Sequence, residues 1–185
     1  GTLNGSAGLQ KDGAGILTLS GNNTYTGTST VNAGTLAITH VNALGTTAGG
    51  TTVATGGTLD VQNLSLGSEA ITLSGGTLKN SSGTSTLSGT VALSNASTIN
   101  AASGASLTVS GPVTAASNTI NIAGGGSVYL TNTSNTLDGG VSVSSVNDLT
   151  LKTAGVLSFG TASIGGNLVV ETGGALTQTG ALAVT

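Results

Sequence analysis

The chain has 185 residues and a formal net charge of −3, with 37% apolar, 5% charged and 2% aromatic residues. Its only Lys or Arg side chains are Lys11, Lys79 and Lys152, scattered along the sequence, so the dense phosphate contacts of a nucleic-acid-binding protein are excluded. The absence of cysteine removes disulfides and thiolate metal sites, and no run reaches the roughly 18 apolar residues of a membrane-spanning helix.

Low charge accompanies disorder in chains poor in Val, Ile and Leu. Here those residues recur throughout, and the mean hydropathy is +0.33. The chain should fold around thin aliphatic layers, with solubility supplied by Thr, Ser and Asn. Residues 1–185 read as a single domain, since no linker divides them. The opening GTLNGSAG has neither the basic nor the apolar region of a secretory leader, so a mature segment or a piece of a longer chain is expected.

Gly15–Ile38 sets the pattern, with alternating runs at Ile16–Ser20, Thr28–Asn32 and Thr35–Ile38 separated by turns. Leu17, Leu19, Val31, Leu36 and Ile38 share one face, and Thr18, Thr30 and Ala37 the other. Between Ile38 and Val53 a longer stretch, THVNALGTTAGGTT, reads as a loop protruding from the spine and carrying His40, the single histidine. From Leu59 onward, apolar pairs at spacing two keep returning, and three columns thread with a step of about 20 residues. One runs Leu78, Ile99, Ile120, Val141, Ile164, Leu182. A second runs Leu87, Leu107, Val128, Leu149, Leu168. The third runs Ile71, Val91, Val113, Leu137, Leu157, Leu176.

Three strands per step describe a triangular coil. The expected fold is therefore all-β, a parallel β-helix of roughly eight to nine coils rising about 4.8 Å each. One coil buries too little to offset its conformational entropy, whereas stacked coils share ladders and apolar contacts with both neighbours. No segment holds a 3.6-residue period for three turns, which removes helix as the competing reading. Gly-Gly pairs at 49–50, 56–57, 75–76, 139–140, 165–166 and 173–174 suit corners with positive φ.

The residues Leu17, Leu19, Gly21, Asn23, Tyr25 and Gly27, followed by Val31, Gly34 and Leu36, resemble the passenger-associated repeat of autotransporters, in which L-T-L-S-G-x-N-T-Y-T-G leads into T-x-V-x-x-G-T-L. Asn135–Leu151 and Gly165–Thr185 are similar, more loosely, to repeats of filamentous-haemagglutinin-like large exoproteins. The resemblance implies a right-handed β-solenoid on, or shed from, a bacterial surface, acting in adhesion, biofilm or extracellular fibres. It implies a folding role for the repeat and no catalytic site.

Chemistry-bearing residues are sparse. Asp12, Asp60, Glu69, Asp138, Asp148 and Glu171 fall on different coils and read as solvated corner residues, not the paired carboxyls of a glycosidase. His40 has no marked nucleophile or second histidine beside it, and Gly124-Gly125-Gly126 lacks the acid of a calcium-binding repeat. No catalytic, cofactor or metal site is expected. Tyr25 should cover a corner, Tyr129 should face outward between Val128 and Leu130, and Phe159 reads as structural. Asn100 and Asn121 align as an amide ladder.

The expected function is structural and adhesive: a stalk, adhesin or self-stacking filament subunit, since the first and last coils show no cap and present open edges. Partners would be further copies of the chain or host and biofilm glycans. Two alternatives stand beside it. One is a carbohydrate-binding or polysaccharide-cleaving β-helix with a groove beside Thr39–Gly50. The other is an ice-binding solenoid using the pairs Thr24/Thr26, Thr28/Thr30, Thr84/Thr86 and Thr131/Thr133.

Overall fold

The computed structural model describes residues 1–185 and is built from strands without any helix. All strand pairings are parallel, and the strands form three sheets wound as a β-solenoid of about eight turns. The first wall stacks Leu9–Lys11, Ser29–Val31, Thr51–Ala54, Ile71–Ser74, Val91–Asn95 and Val113–Thr114. The second runs through Ile16–Leu19, Gly34–Ile38, Gly57–Val61, Thr77–Asn80, Ser97–Ala101, Ile120–Ala123, Val141–Val146 and Leu157–Ile164, ending on Leu176–Gln178 and Leu182–Val184. The third stacks Ser65–Leu66, Thr84–Leu87, Ser106–Val109, Ser127–Leu130, Leu149–Thr153 and Leu168–Thr172.

Period-two alternation explains each wall. Val31, Val53 and Leu73 sit above one another and are fully buried, while Thr30, Thr52 and Thr72 form the outward file beside them. The inward files of the three walls merge into one cluster of 37 buried apolar residues, the continuous spine. Each such aliphatic contributes about 1.5–3 kcal/mol on burial. Stacking along the rod therefore dominates its stability.

The register corrects part of the threading. Leu78 pairs with Ile99, but Ile99 then pairs with Ile122, while Ile120 lies between Ser97 and Val141. Beyond it, Val141 faces Phe159, Ile164 faces Val146, and Leu182 faces Ala162. On the third wall Leu107, Val128, Leu149 and Leu168 form one true column, whereas Leu87 pairs with Val109. On the first wall Ile71, Val91 and Val113 are in register. Thr136 bridges Thr114, which sets Leu137 two residues away from the Val113 level. Leu157 and Leu176 pair with each other on the second wall instead.

The physical cause is common to these slips. A displacement of two residues keeps every side chain on its face, so the apolar pattern leaves the register open while corner length sets it. The column residues are buried except Leu168, Leu176 and Leu182, which lie on the final turns. Four of the six Gly-Gly pairs hold one member at positive φ, Gly50, Gly56, Gly75 and Gly140; the other two, 165–166 and 173–174, do not.

Residues 39–50 do not protrude. Ala43 and Leu44 are buried in the spine, the Asn23 N–H donates to the Asn42 carbonyl at 3.1 Å, and the Thr46 N–H donates to the Tyr25 carbonyl at 2.9 Å. The segment is the third wall of the second coil, made from turns where later coils use a strand. Its length covers a wall and two corners, and Ala43-Leu44 is the apolar beat that seats it.

Candidate functional site

Five of the six acids tie one coil to the next, Asp138 being the exception, and Asp60 and Glu69 are buried, not solvated as expected. Asp12 Oδ1 accepts from Asn32 Nδ2 at 2.8 Å. Asp60, buried on the outer side of the second wall, accepts from the Ser81 N–H at 2.9 Å and the Ser81 hydroxyl at 2.7 Å. Asp148 accepts from the Asn167 N–H at 2.8 Å and from Ser127 Oγ at 3.1 Å. The Asn167 backbone bond, helped by Ser127, Asn167 Nδ2 and Tyr129, holds the Asp148 carboxyl below its ordinary range. Glu171 pairs with Lys152 at 2.7 Å. Asp138 lies apart, in a shallow hollow with Thr119, Ser142 and Ser158. No three acids or histidines gather in metal-ligating geometry.

Three buried amides do similar work and were not singled out for it by the sequence. Asn23 accepts from the Leu3 N–H at 2.9 Å and donates to the Ala43 carbonyl at 2.6 Å, so it joins the chain before it to the coil after it. Asn135 accepts from the Val113 N–H at 2.7 Å and donates to the Lys152 carbonyl at 2.9 Å. Asn80 donates to the Ser106 carbonyl at 2.7 Å. The Asn100–Asn121 ladder is absent: Asn100 pairs with Ala123 and Asn121 with Thr98. Lys11 is buried with its ammonium on the carbonyls of Asp12, Gly13 and Ala33, which use all three of its donors.

The aromatic residues fall into place around these ties. Tyr129 is half-buried and outward between buried Val128 and Leu130, and Phe159 is in the core. Tyr25 is buried at its corner, with its hydroxyl 2.7 Å from Ser29 Oγ. His40 is partly buried and its Nδ1 accepts from the Asn42 N–H at 3.1 Å. The outward threonines make single files: Thr35, Thr58, Thr77 and Thr98 stack in register on the second wall. Their flanking file is Ala37, Asp60, Lys79 and Asn100, not a second row of threonine.

Convergent chemistry lies at one seam. The turn-built wall of the second coil bonds back to the first coil, and Ser65–Leu66 bonds forward to Thr86–Leu87; no backbone hydrogen bond joins residues 40–49 to residues 63–69. The seam opens as a groove of about 360 Å³ lined by Val41, Leu44, Thr47, Leu66, Ser68 and Glu69, among others. A larger hollow of about 520 Å³ is only the open cross-section at the first coil, lined by Leu9, Leu17 and Leu19.

Glu69 is 4% exposed. Its Oε1 accepts from Thr51 Oγ1 at 2.8 Å, and Ser29, the partner of Tyr25, is paired in register with Thr51. Burial pushes the Glu69 carboxyl up, opposed by the Thr51 hydrogen bond. Burial also raises the Tyr25 hydroxyl, with a smaller contribution from Glu69 and an opposing one from Ser29. The sequence signal for this pair is the alternation itself, which places Ser29 and Thr51 on the inward face beside Val31 and Val53.

Residues 9–38 match the passenger-associated-transport-repeat. The chain carries an autotransporter passenger repeat. The repeat spans the first coil and the second as far as Ile38, so it contains the Lys11, Asn23 and Tyr25 anchors. Residues 146–185 match a family described as repeats of unknown function, where the looser exoprotein resemblance had fallen. The adhesin BmaC autotransporter of Brucella suis biovar 1 (strain 1330) is 39% identical over 88 residues, which cover 48% of this chain and 2% of that protein. The chain thus spans a small fraction of the length of this relative. No solved structure matches.

Proposed function

We propose that residues 1–185 form one continuous stretch of an exported, surface-displayed rod whose work is structural and adhesive, with no catalytic centre. The observation that carries this reading is how the polar side chains are used. Asn23, Asn80, Asn135, Lys11, Asp60 and Asp148 bind neighbouring turns, leaving no paired acid and base around a substrate-sized cleft. The passenger repeat and the similarity to an autotransporter adhesin support the same role and a cell-surface location. Surface glycans, or further copies stacked end to end, are the partners this reading names.

Beads coated with the purified chain test it. Adherence to host cells or biofilm matrix several-fold above beads carrying the heat-unfolded chain is expected. Equal adherence of folded and unfolded coats would remove the adhesive reading.

A further inference from the structure

The seam between the second and third coils leaves one carboxylate oxygen open to the groove. Glu69 is almost wholly buried; Thr51 serves Oε1, while Oε2 makes no hydrogen bond within the chain and keeps its solvent access where the residue lines the groove. In so water-poor a setting a charge-assisted hydrogen bond from a cation is stronger than in bulk water. The chain cannot supply the missing cation from nearby. It has no arginine; Lys11 is saturated by three carbonyls, Lys152 is held by Glu171, and Lys79 stands in the outward file of the second wall opposite Asp60.

The rest of the groove has the complementary shape of chemistry. Val41, 48% exposed, stands at its mouth, Leu44 and Leu66 form apolar floor, and the hydroxyls of Thr47 and Ser68 lie on its rim. An aliphatic stem ending in a cation fits that sequence of surfaces: the stem covers the leucines and valine while the head reaches the carboxylate. An uncharged sugar offers the carboxylate hydrogen bonds but no opposite charge.

We propose that this groove binds a lysine or arginine side chain presented by a partner polypeptide, with Glu69 Oε2 accepting from the cation. The site deepens the adhesive reading, on which it rests for the identity of its partner as a surface or matrix protein. The hollows of about 390 and 310 Å³ beside the laddered coils have polar, glycine-rich linings without a leucine floor.

The test is titration of the isotopically labelled 185-residue chain with acetyl-Gly-Lys-Gly-amide and acetyl-Gly-Arg-Gly-amide, read by NMR at the Glu69 carboxyl and the Thr47 and Ser68 amides. Acetyl-Gly-citrulline-Gly-amide and N-acetylglucosamine serve as uncharged probes. The basic peptides should move these resonances together and bind about tenfold or more tightly than the citrulline peptide. Glu69→Gln, which keeps an acceptor for Thr51, should weaken them by a similar factor. Val41→Lys, at an exposed position, should do the same should Glu69→Gln fail to fold. Unchanged affinity in both variants, an equal response to either uncharged probe, or shifts spread equally over Asp138 and Asp148 would overturn the assignment. Peptide binding by a chain whose coated beads do not adhere would support the site and sink the adhesive reading. Adherent beads without a peptide response would do the reverse.

Discussion

The first two coils and the coils from residue 71 onward share one aliphatic spine but close their third wall differently. From Thr84 the wall is a parallel ladder, strand on strand, with Leu87, Val109, Leu130 and Leu151 in file. In residues 20–49 there is no strand on that side. Asn23 reaches up and down to two neighbouring stretches, Tyr25 plugs the corner, and Ala43 and Leu44 fill the interior. Both solutions satisfy the same requirement, that buried backbone groups find partners. A ladder does it once per residue and can continue through many turns. Amide and aromatic anchors do it at fixed points, so the two systems meet at a seam, and Glu69 lies in that seam.

The comparison is broken most sharply by removing spine volume. Ile99 is fully buried in the middle of the rod, and Ile99→Ala should cost about 2–5 kcal/mol. Leu17, only partly buried on the first coil, should cost well under half of that as Leu17→Ala. Urea unfolding of the two variants reads the difference, and equal losses would mean that the terminal coil is packed as tightly as the centre. Next in size is a close backbone approach. A Cβ on Gly111 would overlap the Gly89 carbonyl beneath it, so Gly111→Ala should cost about 1–3 kcal/mol by forcing two coils apart. Thermal unfolding with an unchanged midpoint would show that this corner gives freely.

Amide removal separates the two kinds of wall. Asn135→Ala strands the Val113 N–H and the Lys152 carbonyl inside an otherwise laddered region, and Asn23→Ala strands Leu3 and Ala43. Each orphaned buried group costs about 1–3 kcal/mol. In the ladder that loss should appear as a lower global midpoint. At Asn23 it should appear locally, as faster hydrogen exchange at Thr24 and Thr46, because no strand pairing on that wall holds those amides in place. Slow exchange retained at both positions in Asn23→Ala would mean the turn-built wall does not depend on its amide.

Particular residues show how far the sequence could be read. Alternation was enough for the walls, the inward faces and the coil step, because burying one face of a strand is a local demand. A uniform step puts Ile99 and Ile120 on one level because both are inward; the corner between them sets the actual pairing with Ile122, and corner geometry is not periodic. Residues 39–50 read as a protrusion because a wall of turns carries no alternation, only the beat of Ala43 and Leu44. In the sequence Glu69 is a lone acid in a serine-bearing stretch and looks solvated. Only the stacking of Thr51 beside it, and the missing ladder in front of it, reveals a buried carboxyl.

The smallest expected effect is the shape of the stability curve with pH, and it sets the seam against the laddered wall. Glu69 has a folded value raised by burial, so the native state holds its proton more readily than the unfolded chain, and stability is lost as pH rises from the ordinary glutamate range through the raised value. Asp148 has a folded value lowered by its Asn167 and Ser127 bonds, so its contribution is present above the ordinary aspartate range and lost as pH falls through the lowered value. The group that bears on Glu69 is the Thr51 hydroxyl; Tyr25, whose own hydroxyl Glu69 helps to raise, stays neutral across this range. The two limbs have opposite slopes and should bracket a stability maximum on the acid side of neutrality. Glu69→Gln should flatten the upper limb and raise the neutral-pH midpoint above that of the native sequence; Asp148→Asn should flatten only the acid limb. A melting series from about pH 2 to about pH 7 distinguishes them. An upper limb that persists in Glu69→Gln would mean that burial of the seam carboxyl is not what bends the curve.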